Sequence, residues 1–404
     1  MMNRRSFLQS TLASSLLGAE GLTYAQTAPP LETRQQMSPS HPMIMVFLRG
    51  GADGLAILSP LDDPHFMAAR PPEMRFTATL DSVPAPIWYE QTLFYCHPAA
   101  SPLADLYEAK RLAIFPAVGF VSETRSHFEA QEIMERGVQG LQQLPDRLGW
   151  FARQVPKSPI ADHAREPIAL LPFFAGSARL PRAFAGASQV LVARDLQWGL
   201  GYPGGGNTLQ ALKALCAADQ SAQSRSMHAH LKRFEQVQEA FPKKDQRVLP
   251  YVSAGNTPYP NTDPSVGLRS VARMVEAKLG LQFAWVDQGG WDTHESQPGR
   301  IQNLIGQLAS ALQAFDEDMQ ARAQPYTLLV MTEFGRRLRS NRSNGTDHGH
   351  ASLALVMGTG VAGRQMMGGW PGLASAQLSQ GVDLAVRTNY QTVFAYAKQW
   401  QQTI

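Results

Sequence analysis

The sequence predicts an α/β fold, a mostly parallel sheet sandwiched by helices, and three observations carry that reading. The first is a strand-helix-strand pattern in the final third. Leu281, Phe283, Trp285 and Val286 form an apolar run too short for a helix, ended by the turn Gly289-Gly290. Ile301, Leu304, Ile305, Leu308, Leu312, Phe315 and Met319 then recur at helical spacing until Pro325, and Thr327-Leu328-Leu329-Val330-Met331 follows as a second strand. A crossover of that length joins parallel strands. The second observation is the continuous apolar run 43–48, which stops at Arg49-Gly50-Gly51-Ala52-Asp53-Gly54 and so reads as a strand buried on both faces. The third is the placing of metal-type side chains. D-Q-G-G-W-D-T-H (287–294), T-E-F-G-R (332–336) and T-D-H-G-H (346–350) are each expected directly after a strand, where open α/β sheets bind their ligands.

The N-terminus comes first in chain order. Asn3-Arg4-Arg5-Ser6-Phe7-Leu8-Gln9, a weakly apolar stretch over 11–19 and Thr23-Tyr24-Ala25 have the form of a twin-arginine signal peptide, residues 1–25, cleaved after Ala25. The expected partners in export are the twin-arginine translocase and signal peptidase. The expected location is the periplasm or the exterior, with no stable membrane anchor after cleavage, since no other stretch approaches ~18 apolar residues. Export in the folded state suits a protein that takes up metal before crossing. Residues 26–42, with Pro29-Pro30 and Ser38-Pro39-Ser40, have linker composition.

A single α/β domain is expected over 43–404. After its first strand, 62–95 is proline-rich and reads as an irregular surface excursion. Residues 103–110 read as the end of a helix, and 112–118 as a strand. Ser126 and Glu129 then make S-x-x-E, which sets Ser126 as a helix N-cap. Residues 167–174 read as a strand, and about 175–263 as an insertion over the active face carrying one long or two consecutive helices over 208–241. The pattern resumes with a helix over 264–279. A strand at 353–357, a glycine-rich region over 358–372 and a closing helix over 386–400 complete the chain.

Composition narrows the function classes. A hydrophobic content of 44% with 17% charged residues is globular, and a formal charge of +3 without a basic stripe gives no nucleic-acid footprint. Cys96 and Cys216 allow at most one disulfide and sit in no C-x-x-C or Cys/His pattern, so no thiolate zinc site is expected.

Asp53, Asp292, His294, Glu333, Asp347, His348 and His350 together offer the oxygen and nitrogen donors that suit zinc, manganese or a similar divalent ion, one or two per chain. Each has a plainer alternative: Asp53 an Asx-turn residue, a lone histidine a hydrogen-bonded polar group. Ser126 is open between a pure cap and a nucleophile that is also a cap, because the first N–H groups of a helix stabilise an incoming oxyanion. Arg49, Arg125, His127 and Arg336 are candidates to bind an anionic substrate, against the alternative of solvated surface groups.

F-L-R-G-G-A-D-G-L (47–55), His97-Pro98, S-H-F-E-A-Q (126–131), G-G-W-D-T-H (289–294), T-E-F-G-R and D-H-G-H together resemble the twin-arginine-exported family called domain of unknown function 1501. The resemblance runs from Met43 to the C-terminus. That family looks like a branch of the alkaline phosphatase and sulfatase superfamily, which implies an alkaline-phosphatase-like fold with two metal ions at strand ends beside a nucleophile. By motif and order it implies that Asp53 is a metal aspartate, Ser126 the nucleophile, Asp292 and His294 the pair of one ion, Glu333 an acidic ligand of the other, and His348 or His350 the late histidine. Two departures stand out. The superfamily pair is spaced wider than D-x-H, and its D-H dipeptide is Glu333-Phe334 here. No C-x-P-x-R is present, against a formylglycine enzyme. The expected activity is hydrolysis of phosphate or sulfate esters, of a small molecule or a polymer. The other class left open is a non-catalytic envelope binding or assembly protein that keeps the fold.

Overall fold

Every side chain of the run 43–48 is apolar, and the run lies fully buried as strand β1 (Met43–Leu48) inside the sheet of a computed structural model. The structure describes residues 41–76, 86–143, 148–155, 171, 173–177, 179–187, 190–201, 205–219 and 221–401. The twin-arginine segment, its cleavage site, linker residues 26–40 and most of the strand expected at 167–174 lie outside the described residues.

The elements that follow are α1 (Pro64–Ala69), α2 (Ser101–Glu108), β2 (Leu112–Gly119), α3 (His127–Arg136), β3 (Phe173–Gly176), β4 (Val190–Val192), α4 (Gly205–Ala217) and α5 (Ala222–Glu239). Then come α6 (Asp263–Glu276), β5 (Phe283–Gln288), α7 (Gln297–Ala321), β6 (Thr327–Thr332), β7 (Ser352–Gly358), β8 (Gln365–Met366), β9 (Thr388–Asn389) and α8 (Tyr390–Gln401). The strands join in the order β8-β2-β7-β6-β1-β5-β3-β4, with β9 also on β2. Among the described strands of this sheet only β7 runs against the rest. The mostly parallel α/β architecture is therefore as expected.

Alternation along β1 divides the core. Ile44, Val46 and Leu48 pack with apolar residues of α2, α6 and α7, whereas Met43, Met45 and Phe47 pack with those of α3 and α8. Helices cover both faces because each strand, apolar on both sides, must be shielded twice.

Register positions the site. Leu48 lies opposite both Gln288 of β5 and Thr332 of β6, so the chain leaves three neighbouring parallel strands at one level. Arg49, Gly289 and Glu333 are the first residues past that edge.

Several expectations are corrected. The cluster 346–350 does not follow a strand but precedes β7, and because β7 is antiparallel its first residue, Ser352, stands opposite Val118 near the end of β2. Residues 62–95 are not an irregular excursion. Among the described residues they contain α1 and a hairpin between Ile87–Tyr89 and Thr92–Cys96 that ends one residue beyond the stretch, and Phe66 and Phe94 are buried. Of the two readings open for 208–241, the structure has the second, two consecutive helices, α4 and α5. Within 175–263, β4 extends the main sheet beside β3, and Val237, Phe241 and Tyr251 join the core that α6 caps. Cys96 and Cys216 are free thiols. No helix among the described residues is long and apolar enough to cross a membrane.

Candidate metal centre

Four loops past the carboxyl edge are tied to one another by backbone hydrogen bonds. Trp291 N–H donates to Arg49 O (3.2 Å), Thr346 N–H to Thr293 O (3.1 Å), Arg337 N–H to Asp347 O (2.9 Å) and Gly349 N–H to Gly335 O (2.8 Å). Glycine is required where the last two loops meet: a Cβ on Gly335 would lie 1.8 Å from Ala351 O, and one on Gly349 2.4 Å from Arg336 C. The glycines of T-E-F-G-R and D-H-G-H are thus the points of closest backbone approach.

Beside these loops, the N-terminus of α3 brings His127. His127, Asp292 and His348 offer ligand atoms that all lie within 4.8 Å of one another. His348 Nε2 and His294 Nε2 each stand 3.1 Å from Asp292 Oδ1, and His127 Nε2 stands 3.5 Å from it.

The other ring nitrogen of each histidine settles its tautomer. His348 Nδ1 faces the Arg125 carbonyl at 2.8 Å, an acceptor only, so Nδ1 carries the proton and donates. His127 Nδ1 lies 2.8 Å from Glu333 Oε1, and His294 Nδ1 3.1 Å from Asp347 Oδ1. Each carboxylate accepts a hydrogen bond from Nδ1–H, which leaves the three Nε2 atoms facing Asp292 without a proton. His127 Nε2 is buried without a hydrogen-bond partner, and His294 Nε2 and His348 Nε2 are 2.9 Å apart. Two lone pairs at that distance repel until a proton or cation lies between them. Imidazoles whose distal N–H is anchored on a carboxylate or carbonyl are oriented as metal ligands are.

Electrostatics follow the same contacts. Burial opposes ionisation of Asp292, but the Arg336 guanidinium, 2.6 Å away, holds its pKa at about 2, with the neighbouring imidazoles adding to the effect. Glu333 is also held below the usual carboxylate range against its burial, by His127 and Gln131. Asp347 is lowered chiefly by the Asn341 amide, which outweighs the opposing effect of burial, and further by His294. The Glu333 hydrogen bond raises His127, while burial lowers His348 and favours its neutral, ligating form. Asp292 remains about half exposed, so solvent or a ligand reaches the cluster from its side.

The other residues singled out in the sequence lie as follows. Asp53 is buried and bonded to Arg70 and Gln297. His350 faces away, with Nε2 on Phe120 O (3.0 Å) and Nδ1 by Ser379 Oγ (3.3 Å). Arg336 is no solvated group: its buried guanidinium donates to the carbonyls of Gly50, Gly51, Trp291 and Thr346 as well as to Asp292. Arg49 is spent on Glu135, Asp287 and Gln131, and Arg125 on Asp383 and Gln380. Ser126 occupies the N-cap position of α3, but its side chain makes no cap hydrogen bond, and Glu129 accepts from Thr124 Oγ1 (2.6 Å) rather than closing a capping box.

Sequence reasoning placed His127 with substrate binding, whereas the geometry puts it among the donors. It did not single out Arg70, Gln131, Gln297 or Asn341. Of these, Gln131 carried a signal: on a helix opening at His127, residue 131 is one turn on and shares its face.

The family described as "Protein of unknown function (DUF1501)" matches residues 213–404, which supports the resemblance over that part of the chain. A solved structure, the C-terminal periplasmic domain of EcEptC from Escherichia coli in complex with Zn, is similar at 9% identity with a TM-score of 0.34, covering 83% of this chain and 78% of that one. No curated protein matches the chain.

Proposed function

We propose that the protein is an exported, metal-dependent enzyme that cleaves or transfers phosphate or sulfate esters, with a divalent ion such as zinc or manganese held by His127, Asp292 and His348 and approached by His294. The carrying observation is the convergence of Nε2 lone pairs on one carboxylate oxygen, each imidazole held from behind by Glu333, Arg125 O or Asp347. Nitrogen and oxygen donors in this mixture fit such an ion. When bound, it would polarise a non-bridging ester oxygen.

The chain's own residues supply the rest. Asp292 and Glu333 stay ionised at neutral pH, and Arg336 fixes the Asp292 carboxylate from the protein side. Ser126 immediately precedes His127 and its hydroxyl is not consumed as a cap, which favours the nucleophile over the pure cap. In that role Oγ forms the new bond to phosphorus or sulfur as the ester oxygen departs with the serine proton. Water then cleaves the seryl ester, or a second alcohol accepts the group. The twin-arginine pattern at Arg4-Arg5 supports a periplasmic or secreted location.

The test is a turnover screen of metal-loaded protein on aryl phosphate monoesters, diesters and sulfates, beside the chelated form and Ser126→Ala. Turnover that disappears in both controls is expected. Metal-bound protein inert across all three ester classes would count for the binding-protein reading.

A further inference from the structure

The resemblance predicts metal at Asp53 and Glu333, yet both carboxylates are already committed to donors of the protein. Resting on the metal reading above, we infer that the centre takes one divalent ion per chain, because the Arg70 guanidinium stands as the permanent cation against Asp53.

Arg70 is buried, and its side chain pairs with Asp53 through Nη1 to Oδ2 (2.6 Å) and Nη2 to Oδ1 (3.2 Å). Two further N–H groups are held by the carbonyls of Leu338 (2.6 Å) and Arg337 (3.0 Å), so the group cannot swing out without leaving two carbonyls unpaired. Gln297 Nε2 adds a bond to Oδ2 at 2.7 Å. That amide is locked in its orientation, since Thr293 and Thr346 hydroxyls both donate to Gln297 Oε1. Each Asp53 oxygen therefore faces a fixed N–H. A guanidinium keeps its charge at any accessible pH and offers no lone pair, so it neither ligates an ion nor yields its place by losing a proton.

Glu333 Oε1 is occupied in the same way. Its Oε1 accepts from Gly50 N–H (2.9 Å), His127 Nδ1–H (2.8 Å) and Gln131 Nε2 (2.8 Å), while the Thr332 hydroxyl, 3.1 Å from Oε2, has the Leu48 carbonyl nearer at 2.7 Å. Glu333 acts as the outer partner of a ligand rather than as a ligand. Between the Gly50 and Gly51 carbonyls and Asp292 lies Arg336, a second buried guanidinium. Asp292, Glu333 and Asp347 against Arg336 leave about two negative charges, the amount one divalent ion neutralises. A second ion beside Asp53 would face Arg70 with no carboxylate left to separate them.

The experiment is metal counting on the full folded chain. Metal-free protein is loaded with excess Zn²⁺, freed of unbound ion and counted by elemental analysis and native mass spectrometry, with a parallel Mn²⁺ sample read by electron paramagnetic resonance. One ion per chain and the spectrum of an isolated Mn²⁺ are expected. Asp53→Asn should keep the ion with an affinity within about threefold of wild type, whereas His127→Ala should lose it. Two ions per chain, a spin-coupled manganese pair, or a folded Asp53→Asn that loses the ion would overturn the inference. Should Asp53→Asn fail to fold, the wild-type count and spectrum still decide. A count of zero would instead overturn the metal centre, and the inference with it, and is distinct from a count of two.

Discussion

The imidazole of His348 donates through Nδ1 to the backbone carbonyl of Arg125, 2.8 Å away, so the residue just before Ser126 sets the tautomer of a candidate ligand 223 positions later. This bond couples the start of α3 to the loop before β7. The Arg125 side chain is itself tied to the buried Asp383, which adds a third segment to the same assembly.

Removing the anchor behind a ligand should weaken metal binding without removing the ligand. Glu333→Gln keeps the shape but loses the charge that orients His127, and should lower zinc affinity by about 10- to 100-fold. Competition with a chromophoric chelator reads the constant. Unchanged affinity would show that the His127–Glu333 contact has no bearing on the centre.

Ser126→Ala is expected to be nearly silent in stability, below about 0.5 kcal/mol, because the side chain caps no N–H; a working cap is worth roughly 1 kcal/mol. Turnover, in contrast, should vanish in this variant. Ser126→Asp should also be folded, metal-loaded and inactive. Thermal melts beside the ester screen separate the two effects, and an active Ser126→Asp would point to Thr124 or water as the attacking group.

Gly349→Ala places a Cβ 2.4 Å from Arg336 C, against backbone that cannot rotate away. A loss of about 1–3 kcal/mol is expected from the crowding, together with lost metal, since His348 and His350 flank the displaced residue. Denaturant melts and a metal count on the same sample provide the check. A variant as stable and as metal-rich as wild type would contradict the close approach of the two loops.

His97 supplies a pH dependence of its own. Burial pushes its pKa down to about 4, and its Nδ1 accepts from Ala99 N–H at 3.0 Å, which requires the neutral ring. The unfolded chain takes up this proton near pH 6.5 and the folded chain only near 4. Stability should thus be unaffected by this group above about pH 6.5 and fall as pH drops toward 4, by on the order of 1–2 kcal/mol given that the ring is partly solvated. His97→Asn, which keeps an acceptor for Ala99, should remove that part of the acid limb. Identical acid limbs in denaturant melts of the two proteins would refute the assignment.

Apolar periodicity alone was enough to find β1, β2, β5, β6, β7, α6 and α7, because a strand buried on both faces has no polar residue to hide and a crossover helix must repeat near 3.6. It also found that the metal-type residues gather at strand ends. Strand direction was not local information. D-H-G-H was expected past the end of a strand, and it reaches the site because β7 runs antiparallel to its neighbours, a matter of sheet pairing over a long loop. Nor could local sequence say which acids were free to bind. Asp53 and Asp292 look equivalent beside their glycines, yet one meets Arg70 from a stretch that read as irregular loop, while the other meets three imidazoles. A carboxylate's role depends on which donors packing brings within ~3 Å, and that distance is set by tertiary structure.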